Sequence, residues 1–256
     1  MEIRILGAHN GETLNTSCVS LLIDGSLAVE AGGLTSHLTI AEQKGIASIV
    51  ITHNHMDHIR DIPIIALSSY LRGTCINVYS TAHVCDTIQE HLLNKEVYPE
   101  FQRIPVNKPT IKFMEMEPLG VRNIDGYSIL PVPVNHGTDA VGYQISDKKQ
   151  QTVFFTGDTG PDLAECWRYI SPRLLIIDVT LTDENEEFAR GTGHLTPRLL
   201  EEELKTFRRL KDYLPDVLAI HMDVVQEPVI REELKAVAAR LDTHIGVAHE
   251  DMRLTV

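Results

Sequence analysis

Four side chains of the kind that bind metals, packed into six residues, constrain this sequence more than any other feature. His53, His55, Asp57 and His58 directly follow 48–51, a short β-branched run that predicts a buried strand. Alternate side chains of an extended chain point the same way, so His53 and His55 can share one metal ion. The turn that follows sends Asp57 and His58 to the other side, where they can hold a second ion. Imidazole and carboxylate ligands suit Zn, Fe or Mn.

A pair of ions needs further ligands, and three other strand ends offer them. His136, Asp158 and His221 each come at the end of a predicted strand. In open α/β sheets, strand ends of one face converge on a pocket. A carboxylate such as Asp158 can bridge two ions because each of its oxygens can serve one of them. The seven residues together predict a site for two divalent ions.

The order of predicted elements indicates an α/β fold. Strands dominate the first part of each half of the chain, and helices dominate the second part. Helices are predicted at Ile62–Leu71, after Thr196-Pro197, and from Pro228 onwards, whereas Asp183–Thr192 is predicted to be a polar loop. Two sheets with helices packed outside them make a four-layer αββα sandwich. No linker or repeat interrupts the chain, so residues 1–256 are predicted to form a single domain.

Composition excludes several classes of protein. The chain has 23 Lys and Arg against 36 Asp and Glu, a net charge of −13, whereas proteins that coat nucleic-acid phosphates need a basic surface. No apolar run is long enough to span a bilayer, and the first residues lack a secretory signal. The four cysteines are scattered without a CxxC pair, which predicts reduced thiols in a cytoplasmic protein.

The HxHxDH segment and the other strand-end ligands resemble the metallo-β-lactamase superfamily, and the resemblance covers essentially the whole chain. It implies an αββα fold with a dinuclear site. By position, it implies one metal held by His53, His55 and His136, a second held by Asp57, His58 and His221, and Asp158 as the bridge. The cofactors expected are two divalent ions, with Zn as the first expectation and Fe or Mn as alternatives.

Shorter motifs resemble one branch of that superfamily. The segments 15–18 (NTSC), 193–197 (GHLTP) and 220–222 (IHM) look like the class II cyclic-nucleotide phosphodiesterases and, secondarily, like the tRNA 3′-processing endonucleases. Both groups carry a histidine near the end of the chain that is not a metal ligand. His194 fits that place, and Asp178 fits an acidic partner for it. The alternative role of His194 is structural, as a residue at the entry of the following helix.

The resemblance implies hydrolysis of a small anionic phosphodiester, with a cyclic nucleotide expected first. A hydroxide shared by the two ions would attack phosphorus, and His194, oriented by Asp178, would protonate the leaving oxygen. Asp57, His194 and Asp178 are therefore predicted to be catalytic. No membrane or nucleic-acid partner is expected. The apolar helix Ile62–Leu71 is compatible with contact to a second copy in a homodimer and equally with burial in the core.

Two other functions fit the same motif. A di-iron redox or O₂-binding protein can use this fold, although the flavodiiron pattern has Glu where this chain has His55. A tRNA 3′-end endonuclease would need a basic insertion to hold RNA, and the sequence shows none.

Further residues depart from the pattern or lie outside it. Glu30 stands where relatives commonly have Asp, which places a carboxylate one methylene longer near the site. The remaining histidines, among them His9 and His91, are predicted to be surface or satisfied core residues.

Overall fold

The computed structural model, which describes residues 1–137 and 139–256, contains two seven-stranded sheets. In spatial order the first sheet comprises β14 (Arg253–Thr255), β1 (Glu2–Gly7), β2 (Ser20–Ile23), β3 (Leu27–Val29), β4 (Ser48–Val50), β5 (Ile76–Ser80) and β6 (Ile111–Glu115). The second comprises β13 (Ile245–Val247), β12 (Asp216–Ile220), β11 (Leu174–Asp178), β10 (Thr152–Phe155), β9 (Val141–Ser146), β8 (Tyr127–Pro133) and β7 (Arg122–Ile124). In both sheets the strands at one end pair antiparallel, and those at the other end pair parallel.

Helices cover the outer face of each sheet. The helices are α1 (Ile40–Gly45), α2 (Met56–Ile59), α3 (Ile62–Arg72), α4 (Ala82–His91), α5 (Ala164–Tyr169), α6 (Glu186–Thr192), α7 (Pro197–Lys211) and α8 (Glu227–Leu241). Apolar residues of α2, α3 and α4 pack on the first sheet, and those of α5 to α8 pack on the second. None of the helices described combines the length and the apolar character needed to cross a bilayer.

The strands show why the layers number four. Along β10, Val153 and Phe155 point into the core between the two sheets, whereas Phe154 points out toward the helices. The same alternation in β2 sends Leu21 inward and Leu22 outward. Because these strands bury both of their faces, each sheet needs a second sheet on one side and helices on the other. The predicted four-layer αββα sandwich is confirmed.

One local prediction fails. Residues 183–192, predicted as a polar loop, form a 3₁₀ turn (Asp183–Asn185) followed by helix α6, which ends at Gly193 in the left-handed conformation (φ 74°). Its one buried residue is Ala189, so the helix lacks the apolar periodicity by which sequence indicates helices. Helix α3, by contrast, matches its prediction and buries Ile62 and Ile65 in the core.

Close to the end of β12, a buried histidine contacts carboxylates from two distant segments of the chain. His9, which is 2% exposed, has Nδ1 2.8 Å from Glu250 Oε1 and Nε2 3.2 Å from Glu227 Oε2. Burial alone would lower the pKa of His9, but these two carboxylates raise it above its usual value. Burial would likewise raise the pKa of Glu250, yet His9 and backbone N–H groups bring it down to about 2. Of the two alternatives predicted for His9, a surface or a satisfied core residue, the structure shows the second.

His9→Gln is expected to destabilise the protein by about 2 kcal/mol, because it removes a charge-assisted contact. The contribution of His9 to the free energy of unfolding is fully present below about pH 6.5 and is lost as pH rises through the raised pKa of His9. The Glu250 contribution is present above about pH 4.3 and is lost as pH falls through about 2. Urea unfolding of both proteins should therefore show the largest difference near pH 5–6.5 and a smaller one at pH 9. A difference that is larger at pH 9 than at pH 6 would contradict this assignment.

Candidate metal centre

The first group of ligand atoms gathers at the end of β4. His53 and His55 lie in the segment between β4 and α2, and His136 reaches them from the end of β8. His55 Nδ1 lies 3.2 Å from His136 Nε2, and His53 Nε2 lies 3.7 Å from Asp158 Oδ2. The ligand atoms of these four residues all lie within 4.8 Å of one another. We refer to this arrangement as position 1.

A second group, position 2, lies on the other side of Asp158. The short helix α2 carries Asp57 and His58, and His221 follows β12. Asp57 Oδ2 lies 3.2 Å from His221 Nε2 and 3.5 Å from His58 Nε2. Asp158 Oδ1 lies 3.2 Å from His58 Nε2 and 3.4 Å from His221 Nε2. The two oxygens of Asp158 therefore face different positions.

The chemistry of these atoms fits a pair of divalent ions. Buried polar atoms in proteins nearly always have a hydrogen-bond partner. Within the described residues, His53 Nε2, His58 Nε2 and Asp158 Oδ1 are buried and have none. All three atoms face the space between the ligands, where a cation at each position would satisfy them. Nitrogen and oxygen ligands of this kind suit Zn, Fe or Mn.

The charges of the cluster also suit cations. Burial would raise the pKa of Asp158, but the surrounding histidines hold it well below its usual value, so the carboxylate stays ionised. Burial and neighbouring histidines lower the pKa of His53, which favours the neutral imidazole that binds metals. Burial opposes a charge on His58, yet Asp158 and Asp57 raise its pKa well above normal. A cation among these carboxylates would take the place of that proton.

His58 Nδ1 lies 3.6 Å from Glu30 Oε2, which is beyond hydrogen-bond distance. Three other candidate ligand imidazoles have a hydrogen-bond partner for the second ring nitrogen: His53 Nδ1 with Thr52 Oγ1 (3.0 Å), His136 Nδ1 with the Gly193 carbonyl (2.8 Å) and His221 Nδ1 with Thr180 Oγ1 (2.8 Å). Such contacts orient the ring of a metal-binding histidine. Glu30 also accepts the backbone N–H of Thr52. The carboxylate at position 30 thus reaches the ligand segment despite its extra methylene.

Tight backbone geometry places two of the ligands. Gly157, which precedes Asp158, has φ 62°, and a Cβ there would lie 2.6 Å from Thr52 Oγ1. Only glycine fits such a close approach, which brings Asp158 next to the ligand segment. His221 itself has φ 67°, an uncommon conformation for a residue other than glycine. Backbone strain of this kind is concentrated at functional sites.

The second pair predicted from the sequence also lies beside the ligands. His194 Nδ1 is 2.8 Å from Oδ2 of the fully buried Asp178. The ring centre of His194 lies 5.0 Å from that of His136 and 5.5 Å from that of His221. Burial would lower the pKa of His194, but the Asp178 carboxylate raises it to about 9. A protonated His194 at the edge of the cluster can donate a proton.

Sequence reasoning missed several residues of the pocket beside these ligands. The pocket has a volume of about 510 Å³. Besides predicted site residues, it is lined by Asn10, Cys18, Met56 and Arg60. Arg60 could have been found, because it comes two residues after His58 in the same turn of chain. Asn10 and Cys18 come from the connection between β1 and β2. Cys18 lies in the 15–18 motif, which is a sequence signal for it, whereas only the tertiary fold brings Asn10 here.

Comparisons with known proteins agree with this geometry. The sequence is 21% identical over 235 residues to 3′,5′-cyclic-nucleotide phosphodiesterase 1 of Saccharomyces cerevisiae, a match that covers 81% of this chain and 61% of that protein. The chain therefore spans less than two thirds of that relative's length.

Solved structures show the same fold. The crystal structure of unliganded yeast PDE1 has a TM-score of 0.84 at 19% identity, covering 100% of this chain and 99% of that chain. The metallo-β-lactamase fold protein YhfI from Bacillus subtilis has a TM-score of 0.77 at 16% identity, covering 99% and 98%. The short form of human tRNase Z has a TM-score of 0.70 at 16% identity, covering 100% and 99%.

A family model settles the assignment. The model described as "Beta-lactamase superfamily domain" matches residues 20–222, well over half of the chain. Its span contains every ligand of positions 1 and 2. The predicted resemblance is confirmed, and the relatives include a phosphodiesterase and a tRNase Z, in agreement with the prediction of an enzyme of this superfamily. On the strength of the two-sheet fold and of this match, the chain belongs to the β-lactamase superfamily.

Proposed function

We propose that the protein is a phosphodiesterase that uses two divalent ions to hydrolyse a small phosphodiester such as a cyclic nucleotide. Zn is the first candidate for these ions. The observation that carries this proposal is Asp158, whose two oxygens each face a separate set of three further ligands. The similarity to a yeast cyclic-nucleotide phosphodiesterase supports the substrate class. The four cysteines are free thiols, and we propose the cytoplasm as the location.

The side chains around the ligands have separate tasks in such a reaction. Bound divalent ions lower the pKa of a water and neutralise charge on phosphoryl oxygens. His194 protonates the leaving oxygen from Nε2, since its Nδ1–H is bound to Asp178. Asp178 holds the ring in that orientation. Asp57 contributes a carboxylate to position 2.

Arg60 provides a further positive charge for an anionic substrate. It is the only Lys or Arg among the described residues that line the pocket, in a chain of net charge −13. Its guanidinium pairs with Glu12 and lies 3.6 Å from Asp61 Oδ1. These two contacts together do not use all five N–H donors of the guanidinium, so donors remain for a phosphoryl or other anionic group.

Arg60→Ala is expected to raise KM about tenfold with little change in kcat, because a charge-assisted contact to the bound substrate is lost in ground and transition states alike. Steady-state kinetics on a phosphodiester measure both constants. Arg60→Lys keeps the charge but not the planar guanidinium, so its KM should lie between those of the wild type and of Arg60→Ala. An unchanged KM in the alanine variant would remove Arg60 from the substrate site.

The proposed function is tested with a preparation of defined metal content. Protein loaded with two ions per chain is assayed against cyclic mononucleotides, cyclic dinucleotides, bis(p-nitrophenyl) phosphate and a precursor tRNA. Hydrolysis of the small diesters that disappears on chelation and returns with metal is the expected result. Cleavage of the tRNA alone would favour the endonuclease. An inert preparation with iron-dependent optical absorption would favour the di-iron redox protein.

A further inference from the structure

One buried hydroxyl connects position 2 with the His194–Asp178 pair. Thr180 Oγ1 lies 2.7 Å from Asp178 Oδ1 and 2.8 Å from His221 Nδ1. It also lies 3.3 Å from His194 Nδ1. Thr180 is 3% exposed and Asp178 is fully buried, so solvent does not compete for these contacts. A hydroxyl in this place touches both the candidate metal ligand and the partner of the candidate acid.

The direction of these hydrogen bonds follows from counting protons. A hydroxyl has one proton to donate, and a carboxylate can only accept. Thr180 therefore donates to Asp178 Oδ1, and its oxygen can only accept from His221. This places the ring hydrogen of His221 on Nδ1 and leaves a lone pair on Nε2, the atom that faces Asp57 and Asp158.

Position 1 has no equivalent arrangement. Thr52 Oγ1 lies 3.0 Å from His53 Nδ1, and the nearby Glu30 carboxylate accepts the backbone N–H of Thr52 at 3.1 Å but makes no comparably short hydrogen bond with this hydroxyl. Its proton can therefore point toward His53 or away from it. His136 needs no hydroxyl, because its Nδ1 donates to the Gly193 carbonyl. Selection of a ring tautomer through a hydroxyl and a carboxylate is thus specific to position 2.

Asp178 takes part in both halves of this network. Its Oδ1 accepts from Thr180, and its Oδ2 accepts from His194 Nδ1 and from the backbone N–H of Thr159. A carboxylate has about four acceptor sites, so these contacts do not exclude one another. The same buried carboxylate fixes the ring orientation of a metal ligand on one side and of the candidate acid on the other.

We infer that Thr180 is a positioning residue, which selects the His221 tautomer able to bind a divalent cation at position 2 and fixes the carboxylate that orients His194. The inference rests on the metal centre of the proposed function, but it does not depend on the identity of the substrate. Loss of the hydroxyl should weaken position 2 and leave position 1 intact. Partners of this kind around metal-binding histidines typically change metal affinity by about 10–100-fold.

The test compares three variants of the full chain. Thr180→Val removes the hydroxyl at similar volume, Thr180→Ser keeps it, and Thr182→Val makes the same change two residues away. The Thr182 hydroxyl contacts Gln226 and Asn185 and no metal ligand, so this variant is a matched control. Zn²⁺ content is measured after dialysis against graded chelator, and the optical spectrum of the Co²⁺-loaded protein reports ligand geometry. Circular dichroism verifies that each variant is folded.

In Thr180→Val, we expect the second ion to bind about 10–100-fold more weakly and the first ion to bind as in the wild type. Thr180→Ser and Thr182→Val are expected to bind both ions with wild-type affinity. Wild-type affinity for both ions in Thr180→Val would overturn the inference. So would equal weakening in Thr182→Val, or failure of serine to restore the second ion. A wild-type chain that binds one ion would overturn it as well. Failure to hydrolyse phosphodiesters, with this metal pattern intact, would count against the proposed substrate alone.

Discussion

Asp158→Asn is expected to bind fewer than two ions per chain and to lower kcat/KM by about 10⁴-fold, since bound ions supply several kcal/mol of transition-state stabilisation. The substitution keeps the size of the side chain but leaves one carbonyl oxygen and an amide that donates. In the wild-type chain, Asp158 Oδ1 faces position 2 and Asp158 Oδ2 faces position 1. An amide cannot offer an anionic oxygen to both positions. Metal analysis and steady-state kinetics measure the two effects together.

Asp86→Asn is the matched control for that variant, because Asp86 is an exposed residue of α4 that belongs to neither group of candidate ligands. It should keep both ions and full activity. An Asp158→Asn protein that retains two ions and wild-type kcat/KM would show that this carboxylate does not bridge, and the proposed centre would then be wrong.

His194→Ala is expected to keep both ions and to lower kcat by roughly 10²–10⁴-fold, the usual contribution of a general acid. The size of the loss should depend on the leaving group. A sugar alkoxide needs a proton as it departs, whereas p-nitrophenolate is stable as an anion. The variant should therefore be strongly impaired on a cyclic nucleotide and much less impaired on bis(p-nitrophenyl) phosphate.

The control for this prediction is His91→Ala, which removes an exposed histidine from the end of α4. Equal losses on both substrates would indicate that His194 binds the substrate or supports the ligands and is not an acid. Loss of a metal ion in His194→Ala would place it in the ligand set instead, close to His221 and Asp158.

The candidate ligands of this chain could be proposed from sequence because each comes after a strand whose apolar residues mark it as buried. The spacing of His53 and His55 on extended chain and the strand-end positions of Asp158 and His221 need no tertiary information. Thr180 acts through contacts that depend on how the strands are ordered in space, and its own sequence context is ordinary. Helix α6 escaped prediction for another reason, since its seven residues bury only Ala189.

The two sheets come largely from separate halves of the chain, and each metal position draws ligands from both. Position 1 joins His53 and His55 to His136, and position 2 joins Asp57 and His58 to His221. Bound ions would therefore act as crosslinks between the halves and add to the unfolding free energy by mass action, by about 2.7 kcal/mol for an ion at 100 times its Kd. Chelation should lower the melting temperature as well as the activity, so that thermal stability becomes a readout of metal supply.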